Sequence, residues 1–128
     1  MKEILKTPPL PKSLGPYSQS VKTGNLIFVS GQIPIDPISG HPILEIEAAT
    51  HQCMDQIQII LESEGLGLKN IVRMEIFLKE MSDFQVVNEI YKTKFQNLSL
   101  PTRQVVQVVS LPKNAPIEIS CIGSYEKN

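Results

Sequence analysis

The chain has 128 residues, with 41% hydrophobic and 20% charged, the size and balance of one globular domain that buries roughly two-thirds of its unfolded surface without disulfides or metal. A formal charge of −1 and 5% aromatic residues leave neither the basic field nor the stacking surface that nucleic-acid binding draws on. Apolar runs are far short of a membrane span, and the start "MKEILKTPPLPKS" lacks the apolar core of a secretory signal, so a cytoplasmic setting is the expectation. Cys53 and Cys121 are accordingly read as reduced thiols rather than a disulfide.

After an irregular, proline-rich opening, "LIFVSGQI" (Leu26 to Ile33) reads as a strand that is apolar on both faces. "IPIDPISGH" follows as a turn, marked by Asp36-Pro37 and Ser39-Gly40. From Glu45 to Glu64 the period becomes helical, with Ile46, Ala49, Cys53, Ile57 and Ile60 on one stripe and Gly65 as the stop.

"NIVRMEIFLKE" returns to a period of two, with Val72, Met74, Ile76 and Leu78 on one face and Arg73, Glu75 and Lys79 alternating with them. A second helix is predicted from about Asp83 to Leu98, opened by a Ser82–Gln85 capping box and a Met81–Val86 staple. Its apolar stripe is Phe84, Val87, Tyr91 or Ile90, Phe95 and Leu98.

Two strands end the chain, "TRQVVQVV" and "PIEISCIG", joined by "LPKNAP" as a hairpin loop with Lys113-Asn114 at its tip. Arg103, Val105, Gln107 and Val109 share one face of the first; Ile117, Ile119 and Cys121 form the core face of the second, with Glu118, Ser120 and Ile122 opposite. The whole is a single α+β domain, a sandwich of one mixed sheet with two helices on one face. Several strands are apolar on both faces, and another copy of the chain is the most economical cover for the second face.

Most chemical classes find no support. His41 lies in a turn, and His51 sits on the first helix about 160° around from the Cys53 stripe; no spacing joins two histidines and a carboxylate into a metal site. Ser30 precedes Gly31 without a G-x-S-x-G elbow, no histidine is placed to activate a cysteine, and no phosphate-loop pattern occurs.

Arg103 and Glu118 remain. On residue types alone, an ion pair across two strands at the surface is the favoured reading. Val105, Val109 and Ile122 on their faces argue against a fully solvated pair, and an arginine buried between copies would present a fork of donors suited to a carboxylate ligand. Tyr17 in "GPYSQS" and Asn88 in "VVNEIY" are further polar candidates; taken alone, each is an ordinary packed or helical residue.

Five ordered segments change these weights: "GPYSQS", "FVSGQIPIDPISG", "DFQVVNEIY", "PTRQVVQV" and "LPKNAPIEI". Together they resemble the YjgF/RidA family of reactive-intermediate (enamine/imine) deaminases over essentially residues 1–128. The resemblance implies a chorismate-mutase-like fold and a homotrimer with a barrel-like core and clefts between subunits. It implies hydrolysis of 2-iminobutanoate and 2-iminopropanoate without a cofactor. By the same resemblance Arg103 binds the substrate carboxylate and Glu118 handles the attacking water, while Tyr17, Ser30, Gly31 and Asn88 match pocket positions. Backbone N–H groups near Gly31 and at Val105 add donors for the carboxylate.

The chain departs from the family after the arginine, where Gln104 and Val105 replace the usual small residue and cysteine, and at Ser120, where a second acidic residue is common. These departures bear on substrate preference and leave a non-catalytic, ligand-sensing trimer as the alternative. RNA cleavage or translation inhibition, also attributed to members of the family, is disfavoured by the charge and the few aromatics.

Overall fold

In the computed structural model, which describes residues 1–6, 10 and 15–126, six strands form one mixed sheet. They are β1 (Glu3–Ile4), β2 (Ser20–Thr23), β3 (Leu26–Gln32), β4 (Ile71–Leu78), β5 (Thr102–Gln107) and β6 (Ile117–Ser124), in the spatial order β1-β2-β3-β6-β4-β5. β1 and β2 add to the strands expected; they are too short to show a period in the sequence. The proline-rich opening lies largely outside the described residues.

Helices α1 (Ile46–Glu62) and α2 (Phe84–Lys94) pack on one face. Ala49, Cys53, Ile57 and Ile60 of the α1 stripe are fully buried, each of the large ones stabilising the fold by about 1.5–3 kcal/mol. Glu45 is the N-cap of α1, its carboxylate accepting from the Glu47 and Ala48 N–H groups. Gly65, at φ +73°, ends the helix, and the Leu66 N–H closes back on the Leu61 carbonyl at 2.9 Å. From the sheet, Ile27, Val29, Met74, Ile76, Leu78, Ile117, Ile119 and Cys121 complete the core.

Three expectations are corrected. The last two strands do not form a hairpin. β5 pairs with β4 in parallel, while β6 enters between β3 and β4, antiparallel to both. Lys113 and Asn114 do turn the chain, at φ 55° and 58°. The turn carries β6 past the end of β4, where Lys79 N–H donates to the Pro116 carbonyl at 3.0 Å and the Lys79 ammonium to Asn114. The physical reason is burial: Ile117, Ile119 and Cys121 are at most 2% exposed in the centre of the sheet, whereas a strand beyond β5 would lie at its margin.

Second, Val72 is 44% exposed and Ile71 buried, because the ladder to β6 shifts register between Ile71 and Arg73; such a bulge breaks the period of two. Third, a 3₁₀ turn over Met81–Asp83 precedes α2, whose N-cap Asp83 makes no side-chain capping bond. The Met81 N–H instead donates to Gln107 of β5 at 2.8 Å, and Met81 and Val86 are left exposed. The predicted α2 stripe holds, with Val87, Ile90, Tyr91 and Phe95 buried.

The face without helices mixes apolar and polar groups. Leu26 and Phe28 are partly exposed there, and Phe28 pairs with Ile122, as Phe77 does with Val106. Ser120 donates to Glu75, its ladder partner, at 3.0 Å. Among the described residues no helix is long and apolar enough to cross a membrane.

Candidate active site

Glu118 alternates with the buried Ile117 and Ile119, so its side chain leaves the sheet on the face without helices. There it joins Tyr17, Ser30 and Gly31 in a cleft of ≈ 400 Å³. Gly15, Ile33 and Pro112 also line that cleft; none of the three bears a side chain whose chemistry marks it as a site residue in the sequence.

The cleft exists because β3 bulges. The ladder to β6 pairs Val29 with Cys121 and Gln32 with Ile119, so Ser30 and Gly31 together face one residue, Ser120. The bulge turns Gly31 towards Glu118. A Cβ on Gly31 would overlap Glu118 Oε2 and lie 2.8 Å from its Cδ. Gly31 is not among the positive-φ glycines, so what it supplies is space for the carboxylate rather than an unusual backbone. Ser30 is held by its Oγ, which donates to the Ser18 carbonyl at 2.6 Å, and by its N–H on the Gln19 carbonyl at 2.9 Å. On the far wall, Ile33, Ile35, Ala115 and Leu111 form a small apolar cluster that docks the segment carrying Pro112.

Burial raises the pKa of Glu118 above its ordinary value. A carboxyl that gives up water without gaining a cation holds its proton longer. Cys53 is driven well above the ordinary thiol range by burial and then by the charge of Glu118, and Cys121 rises by burial to about 12. Both thiols are free and buried, which makes them inert as nucleophiles.

Arg103 lies elsewhere. It pairs with Met74 across the parallel ladder, on the helix side of the sheet and at its edge. Its Nη1 donates to Asn88 Oδ1 of α2 at 2.8 Å. The guanidinium carbon lies 4.7 Å from the Tyr91 ring centroid and 5.6 Å from that of Phe84, within cation–π range. Tyr91 is buried, its phenol raised to about 12 by burial against the opposing effect of Arg103. Val105 follows two residues along on the same face, half-buried against the core. Arg103 itself is exposed, so its fork of donors is presented outwards from an aromatic seat. Phe84 and Tyr91 were legible only as core stripe residues.

The candidates therefore fall into two groups. Tyr17, Ser30, Gly31 and Glu118 surround one cleft; Arg103, Asn88 and Val105 stand together on the opposite face. Glu118 and Arg103 are two strands apart, about 10 Å across the sheet, and three residues, roughly another 10 Å, along it. The cross-strand ion pair favoured by residue types alone does not form. Among the described residues the ion pairs are Arg73–Glu75 and Lys94–Asp55, and no group of three or more His, Cys, Asp or Glu side chains could hold a metal ion.

The model of the family described as Endoribonuclease L-PSP matches residues 7–124. The chain belongs to the YjgF/RidA family. It is 42% identical over 127 residues to a RutC family protein of Pyrococcus horikoshii, covering 98% of this chain and 100% of that one. It is 38% identical over 125 residues to the 2-iminobutanoate/2-iminopropanoate deaminase of Escherichia coli, covering 96% and 98%. Among solved structures, Escherichia coli TdcF with bound serine superposes with a TM-score of 0.90 at 33% identity, over 97% of this chain and 99% of that one. The YjgF/RidA fold is thus present over nearly the whole chain.

Proposed function

We propose that this YjgF/RidA protein hydrolyses small 2-imino acids to 2-keto acids and ammonia, in the cytoplasm and without a cofactor, at clefts formed between the subunits of a homotrimer. The observation that carries the reading is the division of the candidate residues into two half-sites on opposite faces. One presents an arginine on an aromatic seat, with Asn88 beside it. The other presents a half-buried carboxyl of raised pKa in a cleft. Neither alone both anchors and hydrolyses a substrate; a second copy supplies what each lacks. The partly exposed Leu26 and Phe28 and the open edge of β5 provide surface for such contacts.

In the assembled cleft Arg103 clamps the substrate carboxylate through paired N–H donors and so orients the adjacent C=N carbon. As the water oxygen bonds to that carbon of the protonated imine, Glu118 accepts a proton from the water and the C=N π electrons pass to nitrogen, giving the amine. Glu118 then returns the proton to the amine as the C–N bond breaks, the hydroxyl proton is lost, and ketone and ammonia leave. A carboxyl whose pKa is raised by burial holds a proton more readily, which suits it to both transfers. Imines hydrolyse in water unaided, so positioning and one proton shuttle suffice. Val105 narrows the cleft beside the anchor and bears on which side chains fit.

The decisive experiment follows the decay of freshly generated 2-iminobutanoate with wild type and Arg103→Ala side by side. Wild type is expected to accelerate the decay and Arg103→Ala to lose that acceleration while the trimer persists. No acceleration by wild type would remove the deaminase reading for that substrate. The second reading, a ligand-binding trimer without turnover, draws on the Gln104–Val105 departure and on the serine held by TdcF; binding of a 2-keto acid with no imine hydrolysis would favour it. RNA cleavage that survives Arg103→Ala and repurification would overturn both.

A further inference from the structure

Two glutamines that touch no ligand surface are buried behind the Glu118 cleft. Gln56 of α1 and Gln32 of β3 are 3% and 7% exposed. A buried amide left without partners is costly, so the partners of these two matter. The Gln56 amide fills both its acceptor and both its donor positions. Oε1 accepts from the Ile35 N–H at 3.2 Å and from Gln52 Nε2 at 3.0 Å. Nε2 donates to the Ile33 carbonyl at 3.0 Å and to Gln32 Oε1 at 3.1 Å. Gln32 Nε2 passes the chain on to the Ser30 carbonyl at 3.1 Å, and Cys53 Sγ donates to the Gln32 carbonyl at 3.2 Å.

Apart from the Gln52 bond, all these contacts reach β3 or its continuation between Ser30 and Ile35. That is the segment whose other side lines the cleft at Ser30, Gly31 and Ile33. It is also where the β3–β6 ladder breaks between Val29 and Gln32, so the sheet does not hold it in regular register. The bulge that turns Gly31 to Glu118 also turns Gln32 inwards to α1.

We propose that the Gln56–Gln32 amide pair is the positioning device of the carboxylate half-site: it clamps the Ser30–Gly31 bulge to α1 and so sets the gap in which the Glu118 carboxyl lies. The catalytic consequence rests on the deaminase reading above; the geometric one does not. Neither glutamine touches substrate. Loss of the clamp lets the wall drift, and Glu118 loses its desolvated seat while Arg103, on the other face, keeps its own.

The test uses full-length Gln56→Leu, Gln32→Leu, the double variant, and Gln56→Glu, which keeps the shape and both acceptor bonds but in its ionised form donates to neither Ile33 nor Gln32. Two readouts are taken on oligomeric protein well below its melting temperature: imine hydrolysis, and titration of the Glu118 carboxyl by carbon NMR. Each single variant is expected to lower kcat roughly ten- to a hundredfold, with KM changed by no more than about twofold, because the anchor is intact. The double variant should lose no more than Gln56→Leu alone, the mark of two residues acting as one unit. The Glu118 titration should move back towards the ordinary glutamate range in all four. If Gln56→Leu does not fold, Gln56→Glu and Gln32→Leu decide. If wild type hydrolyses no imine, the deaminase reading falls and the titration alone judges the clamp. Lower melting temperatures with unchanged kcat and unchanged Glu118 titration would overturn the proposal and leave the pair a stabilising network only.

Discussion

The Glu118 carboxyl occupies the space that any side chain at position 31 would need, with a Cβ there falling 2.8 Å from Glu118 Cδ. Gly31→Ala should therefore leave the fold intact, since the displaced atoms belong to the end of a flexible side chain, but swing the carboxyl away. Imine hydrolysis is expected to fall roughly ten- to a hundredfold, with a melting temperature close to wild type. Full activity of Gly31→Ala would mean that the position of the Glu118 carboxyl does not matter to turnover.

If each cleft takes Arg103 from one copy and Glu118 from another, two inactive variants should complement. Arg103→Ala and Glu118→Gln, each inactive alone, are refolded together at equal ratio. With random assortment about one cleft in four regains both groups, and about that share of wild-type activity should return. No recovery from oligomers shown to be mixed would place both groups in one chain's site.

The raised pKa of Glu118 has a sign in stability. Above the ordinary glutamate value of 4.5 the folded chain holds this proton more tightly than the unfolded chain. Its ionisation therefore subtracts stability as the pH rises through and beyond that range. Comparison in an Arg103→Ala background removes any offset by a guanidinium from another copy. There, Glu118→Gln should raise the melting temperature at pH 7, and the gain should shrink towards pH 4. A gain independent of pH would assign the effect to packing.

Tyr91 contributes its ring rather than its hydroxyl. The buried hydroxyl oxygen has no hydrogen-bond partner among the described residues, while the ring lies 4.7 Å below the Arg103 guanidinium. Tyr91→Phe should keep both stability and KM near wild type. Tyr91→Leu removes a cation–π contact of about 0.5–2 kcal/mol and should raise KM several-fold with a smaller change in kcat. A Tyr91→Phe enzyme with greatly reduced turnover would instead give the hydroxyl a partner in the assembled cleft.

Much of the fold was legible because burial repeats with the period of each element. The α1 stripe through Cys53 and Ile57 and the β6 alternation of Ile117, Ile119 and Cys121 were readable for that reason. Bulges were not: at Val72 and at Ser30–Gly31 one extra residue resets the alternation, and in the bulged strands only Gly31 hints at the place, with nothing comparable at Val72. The hairpin expected at Lys113–Asn114 failed because turn residues report how the chain bends, and not which strand it meets next. Gln32 and Gln56 were invisible for a further reason. A glutamine in a sequence looks the same whether it faces water or fills four hydrogen bonds in a core.

Family, element types and the chemical groups at issue, Arg103 and Glu118 among them, are readable from the residues in order, because side-chain chemistry and local period are written residue by residue. That these two groups leave opposite faces of one sheet emerges from the three-dimensional fold alone. That depends on β6 inserting between β3 and β4 and on the bulge in β3, which follow from where buried surface and unpaired backbone groups find partners across the whole chain.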